Sequence, residues 1–145
     1  MSRVLRHLTD DEIVLLYRKL LVYVEGDLAA KRFDVSNRPL EDYLSKNGIT
    51  LDVVGAHDRR LVDCEASRSH TIGFSFTDSK KGKVMSLFAH LRNSFAHCQV
   101  TRKTIGSVTY FCFQDSHREK VTMYGMLPVA LLSSFLAALK ASEVK

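Results

Sequence analysis

The stretch from Ser86 to Cys98 constrains this chain more than any other, because an apolar helical repeat there carries a second file of polar groups. Leu87, Leu91 and Phe95 recur at four-residue spacing with Phe88 beside them, the stripe of a helix pressed against a core. His90, Asn93 and His97 are separated by three and then four residues, so they stand one above another on a different face. Arg92 lies beside this file, five residues before His97.

A chain of 145 residues is long enough to bury a core without staples, and residues 1–145 read as a single domain. With 26% charged and 46% hydrophobic residues it is globular rather than disordered. Its net charge of +5 favours a polyanionic partner, nucleic acid before an acidic membrane surface. Cys64, Cys98 and Cys112 are widely spaced and form no C-x-x-C pair, which suits reduced thiols and excludes a cysteine-based zinc site. The basic residues near Met1 are followed by no apolar leader, and no run of eighteen apolar residues occurs. The expected setting is cytoplasmic, with no membrane role.

Thr9-Asp10-Asp11-Glu12 has the form of a capping box ahead of Ile13, Leu16, Tyr17, Leu20, Leu21, Val24 and Leu28. A long scaffold helix is expected there, with Arg18, Lys19, Glu25 and Lys31 outside. A break from Asp34 leads to Pro39, suited to the first turn of a second helix that stops at Asn47-Gly48. Between Ile49 and Ser79 the pattern is poor: Ile49 to Val54 fits a strand or a helix, Asp58 to Glu65 a short helix, Thr71 to Phe76 a strand. Asp78 or Ser79 can cap the helix bearing the central stretch. Lys80, Lys81 and Lys83 make its first turn basic, against the helix dipole, a mild hint of an external anion such as RNA beside the plainer reading of a solvated lysine face. Val108 to Phe113 and Val121 to Met126 alternate around the polar Asp115 to Glu119 segment and predict a β-hairpin. Pro128 opens a final helix with Val129, Leu131, Leu132, Phe135, Leu136 and Leu139 at core spacing. The fold class expected is mainly all-α: an antiparallel four-helix bundle with a β-hairpin before the last helix.

Arg92-Asn93-Ser94-Phe95-Ala96-His97 resembles the R-x4-6-H motif of the HEPN superfamily, in which a polar residue commonly follows the arginine. The wording from Leu91 to Cys98, ahead of a hairpin and last helix, is similar to that family's own motif region. The resemblance implies a helical bundle, a homodimer whose two motifs meet in one cleft, and a metal-independent endoribonuclease that needs no cofactor. Arg92 and His97 would be catalytic and Asn93 supporting, with RNA as the partner. The residue types suit that chemistry. Histidine ordinarily titrates at about 6.5 and so serves either proton role at neutral pH, and arginine offers a permanent fork for phosphate. Some HEPN toxins carry a tyrosine two residues after the motif histidine, where a partner modifies it. Gln99 stands at that position here, which argues against that route but leaves a toxin or antiphage role, and an antitoxin or regulatory partner, open.

Three other readings compete. His97 could cap the helix while Arg92 pairs with a carboxylate; the chain could be a non-catalytic HEPN domain that binds RNA or a protein; or it could be a structural adaptor. His90 lies outside the motif and reads as structural or substrate-adjacent. His7, His57, His70 and His117 sit in polar segments and are expected to be exposed. His90 and His97 are two turns apart, too far to share a metal ion, and no H-E-x-x-H is present.

Overall fold

The computed structural model describes residues 8–26, 33, 37–55, 58, 61, 72–78 and 82–143. The first helix, α1, begins as Asp10–Leu16, widens to a π-helix over Tyr17–Val22 and closes in an α turn, Tyr23–Gly26. Its start is the expected capping box. The Glu12 amide donates to Thr9 Oγ1 at 3.1 Å and the Thr9 amide to Glu12 Oε1 at 2.8 Å. Helix α2, Arg38–Asn47, is capped by Asn37, whose Oδ1 accepts from the Leu40 amide, and ends at Gly48 with φ 64°. Helix α3 is Lys83–Ala96 and α4 is Leu132–Ala141, the latter entered through a 3-10 turn at Val129–Leu131.

These four helices do not form a bundle. Five strands lie beside them: β1 (Thr50–Val53), β2 (Gly73–Phe76), β3 (Val100–Ile105), β4 (Val108–His117) and β5 (Lys120–Pro128). They form one mixed sheet in the order β1-β2-β5-β4-β3, parallel between β1 and β2 and antiparallel elsewhere. The mainly all-α expectation is therefore overturned; the fold is α/β. The reason lies in the aromatic strands. Phe74, Phe76, Phe111 and Phe113 are fully buried, and the apolar stripes of α3 and α4 meet this sheet as well as neighbouring helices. Phe74 stacks on Phe135 of α4 with centroids 5.5 Å apart and meets Phe113 at 5.7 Å.

The expected hairpin is present as β4 and β5, but it is the middle of a sheet. Its turn is narrower than the Asp115 to Glu119 segment. Strand β4 runs on through Asp115 to His117, and only Arg118 and Glu119 turn, with φ of 50° and 68°. Leu87, Phe88, Leu91 and Phe95 of α3 are buried as their spacing requires, and α3 packs on β4 and on the π-helical segment of α1. Leu132, Phe135, Leu136 and Leu139 do the same for α4, which is tied to α2 by a 2.6 Å hydrogen bond between Tyr43 Oη and Ser134 Oγ.

The capping expectation for α3 is corrected as well. Its N-cap is Gly82, while Asp78 accepts from Ser86 Oγ at 2.8 Å. Leu28, Lys31, His7, His57, Cys64, His70, Ser79, Lys80, Lys81 and most of the Asp58 to Glu65 segment lie outside the described residues. No helix of the described residues is long and apolar enough to cross a membrane.

Candidate functional site

Alternation along β4 sets one wall of the site. Phe111, Phe113 and Asp115 share the face turned toward α3, so a carboxylate ends a row of buried phenyl rings. Asp115 is only 4% exposed, and the register of the β4–β5 pair shifts between it and Ser116. A bulge there re-aims the strand where the carboxylate must meet the helix. Thr122 of β5 secures the spot by donating its hydroxyl to the Asp115 carbonyl at 3.2 Å.

Helix α3 brings His90 and Asn93 to that carboxylate. His90 Nδ1 lies 2.7 Å from Asp115 Oδ2 and its Nε2 lies 2.8 Å from the Thr77 carbonyl. Each ring nitrogen thus faces an oxygen, and the ring is held at both ends. Its edge packs on Phe76 with centroids 6.0 Å apart. Asn93 Nδ2 donates to the same Asp115 oxygen at 3.3 Å, and Asn93 Oδ1 accepts from Arg92 Nη1 at 3.0 Å. Only one orientation of the amide satisfies a carboxylate on one side and a guanidinium on the other. A connected chain thus runs from Thr77 through His90, Asp115 and Asn93 to Arg92.

His97 does not join it. It is the C-cap of α3, at φ −95° and ψ 13°, and its side chain is exposed, with no hydrogen bond among the described residues. The next residue, Cys98, takes φ 58°. The Cys98 amide donates to the Phe95 carbonyl at 3.0 Å and the Gln99 amide to the Ser94 carbonyl at 2.7 Å, the paired bonds that close a helix through a left-handed residue. Glycine usually fills such a position, and a side chain there costs about 1–2 kcal/mol. The stop leaves His97 projecting at the helix end.

The polar file expected on α3 is therefore split. His90 and Asn93 turn inward onto Asp115, Arg92 is half-buried and held by Asn93, and His97 faces solvent. Lys83 lies in the first turn of α3, fourteen residues and about 20 Å from His97 along the helix. Asp115 escaped sequence reasoning because it was placed in a turn. The signal was the continuation of the Phe111, Phe113 alternation by one more step. His117 is exposed, as expected. Among the described residues no three His, Cys, Asp or Glu side chains are grouped to hold a metal ion.

A family model described as HEPN pEK499 p136 matches residues 23–142. No curated protein and no solved structure matches the chain.

Proposed function

The chain belongs to the HEPN superfamily, and from that premise we propose that it is a metal-independent endoribonuclease working as a homodimer. The observation that carries this reading is the contrast between its two motif residues: Arg92 is steadied by Asn93, whereas His97 stands exposed with no hydrogen bond among the described residues to occupy its ring. A phosphate-binding cation benefits from a fixed position, and a proton-transfer group needs access to substrate.

In the proposed reaction the 2′-hydroxyl of RNA attacks the adjacent phosphorus. The 2′-O–P bond forms, the P–O5′ bond breaks, and the 2′-hydroxyl proton leaves to a base while the departing 5′-oxygen gains one. His97 serves in proton transfer and Arg92 neutralises the crowded phosphate. Five residues along an α-helix place two side chains about 140° apart around its axis. Arg92 and His97 of one chain therefore diverge, and a second copy supplies the complement that completes a cleft. A toxin or antiphage setting, with an antitoxin or regulatory partner, suits such an activity.

The test is RNA cleavage in EDTA by the wild type, Arg92→Ala and His97→Ala. Each variant is expected to lose activity by about 10²–10⁴-fold. Equal cleavage by all three overturns the site, and a strict monomer in sedimentation at high concentration overturns the shared cleft. RNA binding without cleavage by the wild type favours a non-catalytic HEPN domain instead.

A further inference from the structure

A groove of about 420 Å³ opens on the sheet, lined by residues of β3, β4 and β5 and by Gln99 just ahead of β3. Because Phe111, Phe113 and Asp115 turn toward α3, the pleat directs Cys112 and Gln114 to the opposite face. Thr101 is paired with Cys112 and Tyr124 with Gln114, so these side chains share that face. The volume falls within the range of small-ligand sites.

Its described lining includes Lys103 and no carboxylate; Lys103 pairs with Tyr110 and shares the face of Thr101, whereas Arg102 pairs with Phe111 and turns to the helix side. There Arg102 meets Glu12, whose Oε2 lies 3.4 Å from Nε, while Lys103 has no ion pair among the described residues. Gln99 and Gln114 add amides that can both donate and accept, and the Gln114 amide nitrogen of the main chain donates to the Gln99 carbonyl at 3.1 Å, which holds the two positions together. Tyr124 lies beneath them, buried at 9% exposure. A cation beside two amides suits an anionic group attached to a planar base. Gln99 is two residues from His97, so the groove begins within about 7 Å of chain from the exposed histidine.

We propose that this groove seats the RNA nucleotide next to the scissile phosphate, with Lys103 on its phosphate and Gln99 and Gln114 on its base. The assignment rests on the ribonuclease reading above. It predicts that substrate grip and proton transfer lie on adjoining surfaces joined by the turn at Cys98.

The test measures binding of a labelled single-stranded RNA oligonucleotide by fluorescence anisotropy, on a His97→Ala background to prevent cleavage. Lys103→Ala is expected to weaken binding by about tenfold and to reduce the slope of log K against log salt by about 0.7, the contribution of one phosphate contact on a single strand. Gln114→Ala is expected to weaken binding by about fivefold with the salt slope unchanged. With His97 present, Lys103→Ala should raise KM and leave kcat in place. Unchanged affinity and salt slope in both variants, with melting like that of the parent, overturn the groove even if the wild type cleaves RNA. Conversely, Lys103-dependent binding by a wild type that cleaves nothing supports the groove and overturns the ribonuclease reading.

Discussion

Removing the Asp115 carboxylate should destabilise the protein by about 3 kcal/mol, a value that follows from the groups it would abandon. Asp115 is 4% exposed and accepts from His90 Nδ1 at 2.7 Å and Asn93 Nδ2 at 3.3 Å. A charge-assisted bond contributes about 1.5–3 kcal/mol, and a donor left unpaired in a closed site costs about 1–3 kcal/mol. The His90 side chain keeps 11% of its surface in solvent, so water relieves part of this and the upper end of the summed range is not reached. In Asp115→Ala the urea midpoint should fall with an unchanged m-value, and the melting temperature should drop by roughly 10 °C. His90→Gln keeps a donor but loses the ring that spans Asp115 and Thr77, and should cost about 2 kcal/mol. The double variant distinguishes a coupled pair from two unrelated sites: a coupling of about 1.5–2 kcal/mol is expected. Effects that simply add, or an Asp115→Ala protein within about 0.5 kcal/mol of the wild type, would refute the network as a stabilising unit.

Two further substitutions test the sheet. Gly125 lies under Phe74, and an added Cβ would come 2.0 Å from the ring's Cδ1, so Gly125→Ala should cost about 3 kcal/mol and show as an early thermal transition; a variant as stable as the wild type would contradict the β2–β5 register. Arg118 and Glu119 turn β4 into β5 with φ of 50° and 68°, which asparagine and glycine accept more readily, so Arg118→Asn combined with Glu119→Gly should stabilise by about 1 kcal/mol in urea unfolding. A loss of stability would mean that the turn is of another type.

Local signals were strong where a side chain answers its own backbone. Thr9 with Glu12, Pro39 in a first turn, and Gly48 after Asn47 mark helix ends within a few residues, and all three are in place. The sheet was hard to read because its signs are spread along the chain. The alternation from Thr71 to Phe76 marks β2, but β1 has only four residues, too few to separate strand from helix between Ile49 and Val54. Only Val100 is buried in β3, whose exposed Thr101 and Arg102 are those of an edge strand. The motif from Arg92 to His97 was visible as spacing, yet the inward role of His90 depends on Asp115, twenty-five residues on. Helical geometry alone aligned His90 and His97; the left-handed Cys98 and the distant carboxylate separate them.

The order of the strands also bears on how the protein is made. β3, β4 and β5 succeed one another through two-residue turns, directly after α3, so the network from Thr77 to Asp115 and the groove from Gln99 to Tyr124 occupy one unbroken stretch. Contacts close in sequence are reached quickly, whereas the pairing of Gly73 with Met126 must wait for a long loop to close. The contacts from β3 to β5 are thus local in the chain, whereas the Thr77 carbonyl and the Phe76 ring that complete the His90 network come with β2 and depend on that long closure.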